Sequence, residues 1–170
     1  MATPEFTDAI ALLKADHRKV EELFAKFESA SGKERKQALA EQICNELKIH
    51  TMLEEEIFYP AFDGKIEAET LEEAYVEHDG AKVLVNDIMA GGADEAFYDA
   101  KVKVLGEMIE HHVHEEEMRG EGMFAQCRET DVDLVALRDR MLPRKQELMQ
   151  QAETAGLPPA EPKAVNPAAA

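Results

Sequence analysis

The sequence has few of the residues that identify a disulfide-rich scaffold or a membrane protein. Its 170 residues include only 2 cysteines, Cys44 and Cys127, which do not form a Cys-x-x-Cys motif. We therefore expect two free thiols and neither a disulfide framework nor a cysteine-based zinc site. No apolar run approaches the roughly 20 residues that span a bilayer. The first residues lack the features of a secretory signal, so the expected location is the cytoplasm and no membrane partner is expected.

Basic side chains are also scarce. The chain has 19 lysines and arginines against 36 aspartates and glutamates, which gives a formal net charge of −17 at pH 7. A surface of this charge repels the phosphates of nucleic acids and attracts cations. We therefore expect no nucleic-acid partner.

Apolar residues recur at helical spacing along most of the chain, and no segment alternates for long enough to predict a strand. The pattern predicts an all-α protein. Residues 1–130 are expected to form an up-down-up-down four-helix bundle, residues 131–155 a C-terminal helical extension, and residues 156–170 a disordered tail rich in proline and alanine.

The helix limits come from capping residues, glycines and prolines. Pro143 lies inside the extension, whose helical pattern runs from about Val132 to Ala152, and is expected to bend or break that helix. The four bundle helices are predicted to begin near Thr7 or Asp8, Lys33, Thr70 and Asp94, and to end near Ser31, Pro60, Gly91 and Gly120.

Two segments repeat a His-x-x-x-Glu arrangement. His50 and Glu54 share one face of the second predicted helix, and His112 and Glu116 share one face of the fourth, because residues four apart lie at nearly the same angle. Both pairs continue the apolar stripe, where an unpaired carboxylate is costly and a metal ion would remove that cost.

The first and third predicted helices add one histidine each at a similar axial level. On its own, each of these two histidines fits an ordinary packed or hydrogen-bonded side chain. Together with the two repeats they predict a dinuclear metal site, with iron as the expected metal and six candidate ligands: His17, His50, Glu54, His78, His112 and Glu116.

The neighbouring polar residues are expected to lie outside this site. His111 and His114 are about 100° and 200° from His112 around the helix, so they do not point inward with it. His114 is expected to be exposed, and His111 to lie on a polar face or to support the site from outside. Glu56 and Glu117 are expected to be solvated, and their loss is expected to leave metal binding intact.

The ordered set of motifs resembles the hemerythrin-like, or HHE cation-binding, domains over residues 7–125. The resemblance rests on four segments: Asp16-His17-Arg18, the run from His50 through Glu54 to Pro60, Glu77-His78-Asp79, and His111-His112-x-x-x-Glu116. It implies two iron ions inside the bundle, joined by carboxylates and an oxo or hydroxo bridge. It also implies that the four histidines are terminal ligands and that Glu54 and Glu116 bridge the metals.

The chain departs from the oxygen-carrying hemerythrins at two ligand positions. Those proteins have a His-x-x-x-His on the third helix and a His-x-x-x-x-Asp on the fourth, whereas this chain has Lys82 four residues after His78 and Glu116 four after His112. A protonated lysine does not bind iron. One iron then lacks a nitrogen ligand, and its position is open or is filled by water, a tyrosine or another carboxylate.

Imidazole and carboxylate ligands without thiolates suit iron, with manganese and zinc as the lesser alternatives. Two classes of function follow. The first is a non-enzymatic protein that binds O2, nitric oxide or iron for sensing, storage or detoxification. The second is a di-iron oxidase or a peroxide-consuming, catalase-like enzyme. We favour the first, because the sequence contains no recognisable substrate pocket or catalytic base.

Overall fold

The structure is a computed structural model that describes residues 6–166, and all regular elements in that range are helical. A five-residue π-turn, Glu54–Phe58, follows the second helix. The helices are α1 (Ala9–Ser29), α2 (Lys33–Leu53), α3 (Tyr59–Ala61), α4 (Ala68–Ala90), α5 (Tyr98–Glu117), α6 (Met123–Arg128) and α7 (Leu134–Thr154).

Four long helices form the bundle, with neighbours in the cyclic order α1, α2, α4, α5. Two apolar clusters fill its interior. One contains Leu13, Leu53 and Ala74, and the other contains Val20, Leu47 and Ala81. Along the chain, α1 and α4 pass from the first cluster to the second, whereas α2 passes from the second to the first. This alternation confirms the all-α, up-down-up-down bundle.

The helix starts follow ordinary capping chemistry. The Asp8 carboxylate accepts a hydrogen bond from the Ala11 N–H at 2.8 Å, so α1 begins where its N-cap predicts. Asp133 caps α7 in the same way, by accepting from Val135 and Ala136. The fourth bundle helix begins at Tyr98, slightly later than predicted, after a turn in which Phe97 has a φ of 67°.

The C-terminal extension is one helix, α7, which packs across α1 and α2. The expectation that Pro143 breaks it is wrong, since the helix is continuous from Leu134 to Thr154. Its buried residues Leu137, Met141 and Leu148 belong to the same apolar cluster as Leu13. This packing holds the helix together despite the hydrogen bond that proline cannot donate.

The tail also differs from its prediction. Residues 157–166 contain no helix, as their prolines suggest, but they are not a free chain, because their backbone is hydrogen-bonded to side chains of α2 and α4. The last residues of the predicted tail, 167–170, and residues 1–5 lie outside the described range. Among residues 6–166, no helix combines the length and hydropathy needed to cross a bilayer.

Candidate metal centre

The six predicted ligands meet between the two apolar clusters of the bundle. All six are buried, and the most exposed of them, His50, has only 5% of its surface accessible. They divide into two groups of potential ligand atoms that share Glu54. The structure therefore brings together every residue of the predicted site, although their action as ligands stays a prediction.

The first group joins α1 and α2. The Nε2 atoms of His17 and His50 are 3.2 Å apart. Glu54 Oε1 lies 3.2 Å from His50 Nε2, and Glu116 Oε2 lies 3.2 Å from His17 Nε2.

The second group joins α4 and α5 in the same way. The Nε2 atoms of His78 and His112 are 3.1 Å apart. The remaining oxygens of the two glutamates face this pair: Glu54 Oε2 is 3.2 Å from His78 Nε2, and Glu116 Oε1 is 3.5 Å from His112 Nε2. Each carboxylate thus presents one oxygen to each imidazole pair, which is the arrangement of a bridging ligand.

A tyrosine that was not singled out from the sequence completes the second group. The hydroxyl of Tyr59 donates to Glu116 Oε1 at 2.9 Å and lies 3.2 Å from both Glu54 Oε2 and His78 Nε2. The π-turn explains its position, because the wider turn brings Tyr59 back towards the side of the helix that carries Glu54. Such turns are common at functional sites. Tyrosine was one of the possible substitutes for the missing nitrogen ligand.

The donor and acceptor balance of the centre fits a cation. Glu54 Oε1 and Glu116 Oε2 are buried and accept no hydrogen bond from any described residue. The two close Nε2 pairs also need a shared cation or proton between their lone pairs. At separations of 3.1–3.2 Å, the two nitrogens of each pair are close enough for one bound metal ion to take both as ligands.

The electrostatics of the candidate ligands support the same conclusion. Burial opposes a charge on His50, yet Glu54 and Asp16 raise the pKa of its imidazole to about 10. Burial raises the pKa of the Glu116 carboxyl, but His112 and His17 more than offset this and hold it well below its usual range. Raised pKa values at His17, His50 and His112 favour protons beside these carboxylates, and a metal ion would replace such protons.

A ring of outer carboxylates lies next to the other nitrogen of each imidazole. The Nδ1 atoms of His17 and His112 lie 2.6 Å from Glu117 and Glu77, respectively. His78 Nδ1 lies 3.0 Å from Glu55. The fourth pair, His50 Nδ1 and Asp16 Oδ2, is 3.6 Å apart, beyond hydrogen-bond distance, and neither atom has a hydrogen-bond partner among the described residues. The three close partners fix the imidazole tautomer and point Nε2 at a metal.

Each outer carboxylate is next to one candidate ligand in the sequence but faces the histidine of the next helix in the bundle. Asp16 on α1 faces His50 on α2, and Glu55, just after α2, contacts His78 on α4. Glu77 on α4 contacts His112 on α5, and Glu117 on α5 contacts His17 on α1. The contacts close a ring around the bundle. The expectation that Glu117 is a solvated residue outside the site is therefore wrong, whereas Glu56 is partly exposed and pairs with Arg144.

Three of the outer carboxylates are held in turn by cationic side chains. Arg18 donates to Glu117 at 2.8 Å, and Lys82 donates to Glu55 at 2.7 Å. Lys145, from α7, donates to Asp16. The C-terminal extension therefore contributes to the surroundings of the centre as well as to the core.

A small, partly enclosed cavity of about 20 Å³ lies beside the imidazoles. Its walls combine the four candidate histidines with aliphatic residues, among them Val20, Leu47 and Ile109. This volume holds one water-sized group. On the opposite side of the centre, Phe124 stacks on His17 with the ring centroids 5.9 Å apart.

The remaining histidine and cysteine predictions are confirmed. The side chain of His111 is 63% exposed and contacts Glu77 and Glu115, and His114 is also exposed. Cys44 and Cys127 are buried free thiols, and burial raises the pKa of each to about 12.

Comparisons with known proteins agree with this geometry. The sequence profile of the hemerythrin HHE cation-binding domain matches residues 8–124. A curated relative, a DNA nickase from Nostoc sp. strain PCC 7120, is 27% identical over 106 residues, which make up 62% of this chain and 30% of that protein. The chain thus corresponds to less than a third of the length of this relative.

A solved structure shares the fold. It is the crystal structure of a hemerythrin HHE cation-binding domain-containing protein from Mycobacterium kansasii, described as an Rv2633c homologue. The TM-score is 0.71 at 22% sequence identity, over 89% of this chain and 96% of the other. Because the family profile matches well over half of the sequence, this chain belongs to the hemerythrin HHE cation-binding family.

Proposed function

We propose that this protein binds two iron ions and uses them to bind O2 or nitric oxide for sensing, storage or detoxification. The observation that carries the proposal is the bridging geometry of Glu54 and Glu116, each of which presents one oxygen to each pair of imidazole Nε2 atoms. His17 and His50 would hold one ion, and His78 and His112 the other. Iron suits this set of nitrogen and oxygen ligands.

Bound iron would supply reversible redox chemistry and coordination positions for a small ligand. The protein supplies the surroundings. The outer carboxylates keep the Nε2 lone pairs directed inward, and the aliphatic walls limit access of water. The Tyr59 hydroxyl keeps its proton and donates a hydrogen bond to Glu116, because burial and the neighbouring carboxylates raise the pKa of Tyr59 well above its usual value.

The size of the cavity favours a small ligand over a larger organic substrate. A volume of about 20 Å³ holds one water-sized group and leaves no room for a larger organic substrate. An alternative is a peroxide-consuming enzyme, which Tyr59 supports because its proton lies at the centre. Neither the cavity volume nor Tyr59 supports an oxidase that acts on larger substrates.

DNA nicking is not part of the proposal. The nickase match covers 30% of that protein, and a net charge of −17 opposes binding to a phosphate backbone.

The test is to reduce the iron-loaded protein without oxygen and then add O2, nitric oxide or hydrogen peroxide in separate stopped-flow experiments. A binding protein gives a stoichiometric absorption change that reverses when the gas is removed. Sustained peroxide turnover that is lost in His112→Ala but kept in His114→Ala would establish the enzyme instead. No spectral change with any of the three would refute both.

A further inference from the structure

Residues 157–165 lie across one face of α4 and are held there by its polar side chains. Asn86 makes two hydrogen bonds to Ala160: its amide donates to the carbonyl at 2.8 Å and its oxygen accepts from the N–H at 2.8 Å. Lys48, on α2, donates to the Leu157 carbonyl at 3.1 Å. We refer to residues 157–165 as the strap.

The strongest contact of the strap is with the carboxylate of Asp79. This group accepts three consecutive backbone N–H groups, from Lys163, Ala164 and Val165, at 2.7–3.0 Å. Successive N–H groups of this kind form a nest for an anion. Burial raises the pKa of Asp79, but these N–H groups and Lys82 more than offset this and hold it below its usual range.

The strap also reaches Lys82. An ammonium group has three N–H donors, and the three acceptors around Lys82 Nζ are Glu55 at 2.7 Å, Asp79 at 3.1 Å and the Glu161 carbonyl at 3.0 Å. Only 5% of the Lys82 surface is exposed. The strap therefore supplies one of the partners that allow a charged lysine to be buried at this place.

Lys82 connects the strap to the candidate metal centre. Its partner atom, Glu55 Oε1, is the same oxygen that lies 3.0 Å from His78 Nδ1. A continuous series of contacts thus runs from the Glu161 carbonyl through Lys82 and Glu55 to the His78 imidazole.

We propose that the strap, through Lys82 and Glu55, positions the His78 imidazole. Asp79 and Asn86 anchor the strap, and Lys82 transmits its position to Glu55. The consequence for metal retention rests on the proposed function, whereas the effect on His78 itself does not. Loss of the docked strap leaves Glu55 less constrained, so His78 turns more freely and the ion that it helps to hold is released faster.

The test uses the full chain with the double substitution Ala160→Pro and Ala164→Pro. It removes two N–H groups that bond Asn86 and Asp79 and leaves every bundle residue unchanged. The matched control, Glu161→Ala with Lys163→Ala, alters two side chains of the same segment and keeps all its backbone N–H and C=O groups.

Two readouts are made on the metal-free proteins by NMR. In the wild type and the control, the Lys163 and Val165 amides are expected to be protected from hydrogen exchange, and the His78 Nδ1–H signal is expected to persist. In the proline variant, both amides and the Nδ1–H are expected to exchange at least about tenfold faster. Unprotected amides in the wild type, or identical His78 signals in the proline variant and the control, would overturn the proposal.

A third readout follows release of ferrous iron from the loaded proteins to an excess of chelator. The expected result for the proline variant is a phase about 10- to 100-fold faster than in the control, which is the usual effect of disturbing an outer partner of a metal ligand. Equal release rates would refute the role of the strap in metal retention. If the wild type binds no iron, the proposed function fails, and the His78 signals still decide whether the strap positions this residue.

Discussion

The ring of outer carboxylates predicts a specific loss of metal affinity when one of its members loses its charge. In Glu77→Gln, the side chain keeps its shape and one oxygen acceptor, but the charge-assisted contact of 2.6 Å with His112 Nδ1 becomes a neutral one. Hydrogen bonds to charged groups contribute about 1.5–3 kcal/mol and neutral ones about 0.5–1.5 kcal/mol. The difference is therefore on the order of 1–1.5 kcal/mol.

Such a difference corresponds to about a tenfold weaker apparent affinity, since 1.4 kcal/mol is a factor of ten. Because the Glu77 side chain is 24% exposed, water screens part of the interaction and the lower end of the usual 10- to 100-fold range applies. The assay is competition for ferrous iron against a chelator of known affinity, at one pH and one salt concentration.

The matched control is Glu73→Gln, which removes the same charge from an exposed residue one turn earlier on α4. It corrects for the general effect of one negative charge on cation binding. Equal affinities for Glu77→Gln and Glu73→Gln, within about twofold, would refute the reasoning that the ring tunes the ligands.

Three further outcomes follow from the described contacts. Glu117→Gln should weaken iron binding about as much as Glu77→Gln, because both carboxylates lie 2.6 Å from an imidazole Nδ1, whereas Glu56→Gln should leave the affinity in the same competition assay unchanged. Tyr59→Phe should keep both the helical circular dichroism spectrum and the visible spectrum of the iron-loaded protein, because the protonated hydroxyl donates to Glu116; loss of a phenolate-to-iron absorption band in this variant would show instead that Tyr59 is a ligand. Leu148→Ala should lower the free energy of unfolding by about 2–5 kcal/mol in urea denaturation, because Leu148 is fully buried between α7 and the bundle. Met149→Ala, at a position of the same helix that is 37% exposed, should change the free energy of unfolding by about 0.5 kcal/mol or less, and similar losses in the two variants would contradict the packing of α7.

Four of the six candidate ligands could be predicted from the sequence because their signal is local, and His17 and His78 were added because they lie at a similar axial level. His50 with Glu54, and His112 with Glu116, are four residues apart and lie on the apolar stripe of a helix. The bundle could be predicted for the same reason, since its apolar periodicity is strong in each helix.

The outer ring depends on contacts between helices and was therefore missed. Asp16, Glu55, Glu77 and Glu117 each adjoin a candidate ligand in the sequence, but a neighbouring residue points about 100° away around the helix. The histidine that such a carboxylate contacts lies on the next helix, so the contact depends on how the two helices pack. In retrospect, a usable signal was the acidic residue directly beside four of the six candidate ligands, His17, Glu54, His78 and Glu116.

Tyr59 and the strap were missed for different reasons. Regular helical geometry directs Tyr59 away from Glu54, and only the π-turn brings its hydroxyl to the centre. The strap has the proline-rich composition of a disordered tail. Its order comes from buried polar groups on α4, such as Asp79 and Lys82, whose partners are backbone atoms distant in the sequence.

The most direct test of a dinuclear centre is the iron stoichiometry of protein loaded anaerobically with ⁵⁷Fe, measured together with its Mössbauer spectrum after exposure to air. We expect close to two irons per chain, in a magnetically coupled ferric pair, and loss of that pair in Glu54→Ala but not in Glu56→Ala. One iron or none per chain, or two uncoupled irons that persist in Glu54→Ala, would contradict a dinuclear centre bridged by Glu54 and Glu116.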